Sequence, residues 1–312
     1  MPDYTYVSRY SHLTTEDLVP PGVPGIFFEP ADTEIGVWVV RDLLPDGGGS
    51  VLDLGSGSGA AAAAMARAGA ARVHGIDAST ASVEWARRHH ARHSRTCRVT
   101  FALGDFALLG PEELLATAEG PLPEPLIVTS NPPYVPLAPE AAALRRSISG
   151  GPDGLKWAAP IVGHAQALGT DLGFTFGSYS SPAHAVGLLQ DAGYEVVAVT
   201  LCPLPLGDFT REHPEQMEKL VARGEAVLWD EAPVAPGYFI VGLACRRRAS
   251  PHGNGPPDEK STLSGESLME LLRVAATSRT TRLEALDTTA DDLWPGSVRV
   301  FDPPVPEERH HW

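Results

Sequence analysis

Ser50-Val51-Leu52-Asp53-Leu54-Gly55-Ser56-Gly57-Ser58-Gly59 decides how this chain folds. Its first half is a short apolar run of strand length, and its second half places glycine at every other position. A helical pattern over residues 58–68 follows directly. Strand, glycine turn and helix in that order open a βα unit. The glycines let the backbone turn tightly and approach a ligand, and the helix start behind them favours an anionic group.

Similar apolar, β-rich runs recur outward from this point, at residues 72–77, 98–105, 126–130, 172–179, 195–202 and 238–246. Helical patterns alternate with them at residues 32–44, 79–93, 111–118, 155–168 and 181–192. Alternation of this kind predicts an α/β, doubly wound sheet with helices on both faces. Only a loop-rich insertion joins the last two runs, which rules out a simple parallel crossover between them. The expected architecture is therefore Rossmann-like: a mostly parallel seven-stranded sheet with an antiparallel last strand, spanning residues 29–248. Residues 1–28, with Tyr4, Tyr6, Tyr10 and the turn from Pro20 to Gly25, form an N-terminal aromatic segment and a candidate lid. The insertion at 203–237 carries Phe209 and Trp229 and reads as a lid or pocket wall. Residues 249–262 read as a linker, and 263–312 as a C-terminal extension with one amphipathic helix pattern over 267–277.

The bulk properties narrow the functions available. No apolar run among the 312 residues has the length of a membrane span, and the first residues lack the layout of a signal peptide. Cys97, Cys202 and Cys245 are far apart and read as reduced thiols, so a cytoplasmic protein is expected. A net charge of −15 weighs against a broad nucleic-acid-binding surface. The basic clusters at 87–95 and 246–248 read as a solvated helix face and a strand end. His89, His90 and His93 have no carboxylate or cysteine beside them, so no metal is expected there. The composition is rich in alanine and arginine and poor in lysine, as in GC-rich genomes that often encode specialised biosynthesis.

In an open α/β sheet, ligands bind beyond the carboxyl ends of the strands. Asp53 stands just before the turn, where it can hold an ammonium group, while Gly55 and Gly57 let the ligand approach. Asp77 ends the next run and can accept both hydroxyls of a ribose. An NAD enzyme would share these features. Two others separate this chain from one: the spacing is Gly-x-Gly-x-Gly, and a third run ends in Gly104-Asp105-Phe106. Asp105 suits an adenine amino group, and Phe106 can pack on the ring. Singly, such aspartates are ordinary caps or turn residues. Three in register at successive strand ends imply S-adenosylmethionine as cofactor, with S-adenosylhomocysteine as product.

The fourth run closes with Asn131-Pro132-Pro133-Tyr134. An amide or aromatic amine is a poor nucleophile because its lone pair is delocalised. If Asn131 Oδ1 and the Pro132 carbonyl each accept one N–H, the nitrogen is drawn toward tetrahedral geometry and its lone pair points at the methyl group. The second proline holds the preceding backbone extended, which keeps that carbonyl presented. Tyr134 can stack on a planar acceptor or sit near a sulfonium. Standing alone, Asn-Pro-Pro would be a proline turn after a buried strand. In the fourth-strand position it implies methyl transfer to nitrogen by in-line displacement. Phe28, Ser178 and Tyr179 are further candidates for the acceptor wall, with the insertion.

These residues resemble the HemK-type branch of the class I methyltransferases, which methylate a glutamine side-chain amide in translation release factors. Phe28-Glu29-Pro30-Ala31-Asp32-Thr33-Glu34, the glycine turn and Asn131-Pro132-Pro133-Tyr134 carry the resemblance, and Gly150-Gly151-Pro152-Asp153-Gly154-Leu155 adds a fourth stretch. It covers about residues 22–202. The resemblance implies a donor-facing start for the helix at Thr33 and Glu34, and a role for the second glycine turn in lining the site. Read from its own residues, that second turn simply leads into the next helix, with Asp153 as its cap. The chain departs from the family in two ways. A short aromatic segment stands where the glutamine enzymes carry a helical docking domain, and Glu29-Pro30-Ala31 replaces a stretch that usually holds an arginine. The expected acceptor is accordingly a small molecule or peptide. A protein acceptor, a nucleic-acid adenine and a non-catalytic subunit role are the rival expectations.

Overall fold

The computed structural model describes residues 4–46, 48–93, 97–229, 236–248, 262–277 and 294–303. Ten strands form one sheet: β1 (Tyr4–Val7), β2 (Ser50–Leu54), β3 (Arg72–Asp77), β4 (Arg92–His93), β5 (Arg98–Leu103), β6 (Leu126–Ser130), β7 (Asp171–Gly177), β8 (Tyr194–Pro205), β9 (Gly237–Arg247) and β10 (Ser297–Phe301). Their order across the sheet is β1-β10-β8-β9-β7-β6-β2-β3-β5-β4. The seven expected strands are all present as a contiguous block. β9 runs antiparallel to both β7 and β8, and the other pairings inside that block are parallel.

The sheet is larger than the expected seven strands because both chain ends add to it. β1 pairs with β10, and β10 pairs with β8, both in parallel. β4 adds a short antiparallel edge to β5. Within the C-terminal extension, α10 (Gly265–Ala275) has Leu268, Met269, Leu271 and Leu272 buried. It packs on α7 (Pro182–Asp191). Most of the expected linker lies outside the described residues.

β2 is buried along its whole length, as its apolar sequence requires of a central strand covered on both faces. On one face, α1 (Pro30–Leu43) crosses β7, β8 and β9. Its close approach depends on two glycines: a methyl group on Gly242 would meet Ile35 at 2.5 Å, and one on Gly173 would meet Val39 at 2.8 Å. Glu29 caps α1 by accepting from the Ala31 amide at 3.3 Å, and Pro30 stands in the first turn, where no amide donor is needed. Glu34, fully buried in α1, accepts from the amides of Ser11, His12 and Leu13 at 2.8 to 3.2 Å. That carboxylate fixes the N-terminal segment in front of the sheet.

The insertion at 203–237 begins as an extension of β8, followed by α8 (Asp208–Glu212) and α9 (Glu215–Ala222). Among the described residues, no helix is long and apolar enough to cross a membrane.

Candidate active site

Strand register brings the functional loops together. Asp53 pairs with Thr129 of β6 on one side and Gly75 of β3 on the other, while Asp77 pairs with Leu103 of β5. The glycine turn, Asn131, Asp77 and Asp105 therefore emerge from adjacent strand ends. They line one cleft of about 810 Å³, a size suited to a cofactor with a small ligand beside it.

On the donor side, Asp53 is buried and its Oδ2 has no hydrogen-bond partner among the described residues. Burial first, and then the neighbouring Asp77 carboxylate, push its pKa up to about 7. Ser56 Oγ is likewise buried without a partner. A buried carboxylate and hydroxyl left open in this way fit a ligand that brings an ammonium group. Asp77 holds the turn itself: Oδ2 accepts from the Gly57 amide at 2.8 Å and Oδ1 from the Ser79 amide at 2.8 Å. Burial raises its pKa, and these two amides oppose the rise. Each oxygen retains a lone pair for a ribose hydroxyl.

Gly59 starts α2 (Ala60–Arg67) at φ +83°, and the Ser58 hydroxyl accepts from the Ala60 amide at 3.4 Å. Among the described residues no hydrogen bond takes up the Ala61 and Ala62 amides, which are open to a ligand's carboxylate. A methyl group on Gly59 would stand 2.7 Å from both Ala86 and Phe101, so the turn admits only glycine there. Asp105 Oδ1 accepts from the Ala107 amide at 2.9 Å, an ordinary turn contact that leaves its second oxygen for adenine. The Phe106 ring stands edge-on to Trp157 with centroids 5.8 Å apart, 3.7 Å from where a Gly55 methyl would be. Phe27, which the sequence reading passed over, covers Gly57 from the N-terminal segment.

The acceptor side is built around Asp32. Its carboxylate accepts from the Tyr134 hydroxyl at 2.9 and 2.8 Å and is hydrogen-bonded by the Asn131 side chain. Burial and the nearby Glu29 raise its pKa to about 8, against the pull of those two donors. The Asn131 bond opposes the rise in the Asp32 pKa, as a donor's does, so the Asn131 NH2 faces Asp32. Asn131 Oδ1 then faces Thr175, whose hydroxyl donates to it at 2.6 Å. That oxygen keeps one lone pair for an acceptor N–H. Among the described residues no hydrogen bond takes up the Pro132 carbonyl, and Pro132 lines the cleft.

Eleven of the twelve residues expected at the site line the cleft. Ser178 is the exception. It is fully buried, with Oγ donating to the Val227 carbonyl at 2.6 Å and accepting from the Phe239 amide at 3.0 Å. It ties the insertion to β9 instead of facing a ligand. Tyr134 does line the cleft, but its hydroxyl is committed to Asp32, leaving only ring surface for an acceptor. Tyr179 packs 4.6 Å from Tyr238 and 6.0 Å from Tyr134, centroid to centroid, completing an aromatic wall. Within the insertion, Phe209 lines the cleft, whereas Trp229 is buried and donates to the Tyr238 carbonyl at 3.2 Å.

Two resemblance-based expectations change. Thr33 faces the cleft, but Glu34 points away to the N-terminal segment. The turn at 150–154 does not line the cleft; it supports the Asn-Pro-Pro-Tyr loop from behind. Gly150 donates to the Val135 carbonyl at 2.9 Å, and Leu137 donates to the Gly151 carbonyl at 2.9 Å. Asp153 caps the following turn by accepting from Leu155 at 3.0 Å.

Residues 51–115 match the family model described as a methyltransferase domain. That stretch holds β2, the glycine turn, Asp77 and Asp105. No curated protein matches the chain. Among solved structures, the ribosomal protein L11 methylase of Lactobacillus delbrueckii subsp. bulgaricus is 15% identical, covering 78% of this chain and 100% of its own, with a TM-score of 0.42. A TehB-like SAM-dependent methyltransferase of Corynebacterium glutamicum is 12% identical over 70% of this chain and 100% of its own, with a TM-score of 0.37. The precorrin-6Y C5,15-methyltransferase of Geobacter metallireducens is 11% identical over 76% and 98%, with a TM-score of 0.39. None of these likenesses bears on what this chain acts on. Residues 51–115 thus match a methyltransferase domain, and the open Asp53 Oδ2, Asp77 and Asp105 on the donor side fit S-adenosylmethionine as cofactor.

Proposed function

We propose that this protein is an N-methyltransferase acting on an amide, amine or other NH group of a small molecule or peptide. One observation carries the reading: Asn131 and Pro132 line the same cleft as Asp53, whose Oδ2 has no hydrogen-bond partner among the described residues. When bound, the cofactor supplies a methyl group on a sulfonium. Asp53 would hold its ammonium, Asp77 its ribose, Asp105 and Phe106 its adenine, and the amides at the start of α2 its carboxylate.

Asn131 and Pro132 orient the acceptor nitrogen by accepting its N–H groups. Thr175 and Asp32 hold the Asn131 amide so that Oδ1 stays presented, which removes a torsional search from the reacting arrangement. Phe28, Tyr134, Tyr179 and Tyr238 surround the acceptor with aromatic surface and exclude water. The six carboxylates lining the cleft disfavour a phosphate backbone, so a nucleic-acid adenine is the weaker reading.

The test is methyl transfer from labelled S-adenosylmethionine into lysate of the source organism, with products separated by size. Label in the low-molecular-weight fraction is expected. Label confined to a protein band would replace this reading with a protein glutamine methyltransferase.

A further inference from the structure

The turn after β5 is held from behind by one helix. Asp105 and Phe106 stand in this turn, on the donor side of the cleft. Gly104 ties its base to the Asp77 carbonyl at 3.0 Å, and Leu108 and Leu109 each donate back to the Asp105 carbonyl at 3.0 Å. Packing does little for the far end, since Ala107 and Leu108 are exposed. Support comes instead from α6 (Ala158–Leu168), whose Ile161, Val162 and Ala165 are buried in the core. His164 Nε2 meets the Phe106 carbonyl at 2.7 Å, and a carbonyl only accepts, so that nitrogen carries the proton. Trp157, at the start of α6, meets the Phe106 ring edge-on with centroids 5.8 Å apart. Its Nε1 donates to the Ser149 carbonyl at 3.2 Å, which fixes the indole. Trp157 and His164 stand two helical turns apart and so share one face of the helix. One helix therefore holds Phe106 at two points, by its ring and by its backbone.

We infer that His164 is a positioning residue for the cofactor's adenine: it keeps the Asp105-Phe106 turn in the shape that reads the base. This rests on the donor reading given above for Asp105 and Phe106. His164 does not itself line the cleft, so it acts only through the turn. A buried histidine bonded to a backbone carbonyl can be no more than a satisfied core residue. Here the carbonyl belongs to the residue whose ring lines the cleft, and a second residue on the same helix face grips that ring. The neighbouring strand end is held in another way. Asp77 accepts from the Gly57 and Ser79 amides at 2.8 Å, so the ribose side does not depend on His164. Loss of His164 should therefore blur recognition of the base and leave recognition of the ribose intact.

Calorimetry with the full chain reads this through three ligands. They are S-adenosylhomocysteine, S-inosylhomocysteine, in which oxygen replaces the 6-amino group, and 2′-deoxy-S-adenosylhomocysteine. The wild type is expected to favour S-adenosylhomocysteine over the inosyl compound by at least about tenfold, because the Asp105 oxygen loses its donor. His164→Leu should weaken S-adenosylhomocysteine by about five- to tenfold and cut that preference to about threefold or less. Its preference over the 2′-deoxy compound should not change. His164→Gln, whose amide can still donate to the Phe106 carbonyl, should restore both values to within about twofold of the wild type. His164→Asn, whose amide stops short of that carbonyl, should behave as His164→Leu and replaces it if the leucine variant does not fold. An undiminished adenine preference in the leucine or asparagine variant overturns the inference. So does equal weakening of all three ligands, or a glutamine variant no better than asparagine, since either marks a purely structural role. A wild type that binds S-adenosylhomocysteine without favouring it over the inosyl compound also overturns it and leaves the methyl-transfer reading standing. Failure to bind S-adenosylhomocysteine at all removes both.

Discussion

The Tyr134 hydroxyl donates to both carboxylate oxygens of Asp32, at 2.9 and 2.8 Å, joining residues 102 positions apart in sequence. Through this contact the first turn of α1 holds the loop that follows β6. The proton on Tyr134 is well secured, because burial and the Asp32 charge raise its pKa far above the ordinary tyrosine value. Tyr134→Phe leaves a buried carboxylate short of a donor, at a cost of about 1–3 kcal/mol. Chemical denaturation should show that loss, and the Asp32 pKa should rise further. An unchanged midpoint would mean the contact contributes nothing to the fold.

Two buried carboxyls set the pH dependence of the ligand-free chain. Asp53 has a folded pKa of about 7 and Asp32 of about 8, against 3.8 for an unperturbed aspartate. From pH 4 upward the unfolded chain has released both protons while the folded chain retains them. Their contribution to stability therefore falls as pH rises, through about pH 7 for Asp53 and about pH 8 for Asp32, then levels off, while buried His74, lowered to about 4, contributes with the opposite sign below its ordinary 6.5. Asp53→Asn should stabilise the ligand-free protein at pH 8 by an amount on the order of 2–4 kcal/mol, since one pKa unit corresponds to about 1.4 kcal/mol. The same change should weaken S-adenosylmethionine binding by at least about tenfold. Denaturation curves at pH 5 and pH 8, with calorimetry of the donor, test both signs.

β2, β3 and β6 begin and end where the sequence places them, because each is an apolar run closed by a residue that breaks the pattern. The donor half was legible for the same reason: glycines and aspartates at strand ends are local signals. β1 and β10 were not, since each is completed by a partner from the opposite end of the chain. Asp32 carries no such signal, because an acid in the first turn of a helix reads as an ordinary helix-start residue. Thr175 in β7 gave no signal at all, as threonine is ordinary in a strand. Ser178 gives the opposite kind of signal. Its place after a strand end resembled a wall position, but its hydroxyl is used up by Val227 and Phe239.

Ser178→Ala tests that reassignment. Removing the hydroxyl strands the Phe239 amide and the Val227 carbonyl inside the protein, so stability should fall by about 1–3 kcal/mol. Acceptor KM and kcat should stay within about twofold, because the residue touches no ligand. A large rise in KM with unchanged stability would return Ser178 to the acceptor wall.

Asn131 and Thr175 separate orientation from contact. Under the proposed function, Asn131→Ala removes the oxygen that would accept the substrate N–H, and kcat should fall by about 10²–10³. Donor affinity should be unaffected, since the proposed role of Asn131 is to hold the acceptor and not the donor. Thr175→Val keeps the shape of β7 but removes the donor that holds Asn131 Oδ1 at 2.6 Å. The amide can then rotate, and kcat should fall less, by about tenfold, with little change in KM. The double variant should be no worse than Asn131→Ala alone, because Thr175 acts only through that side chain. Single-turnover kinetics with labelled donor measure all three. Undiminished turnover in Asn131→Ala would mean that the loop after β6 does not handle the acceptor. An additive double variant would mean that Thr175 has a contact of its own.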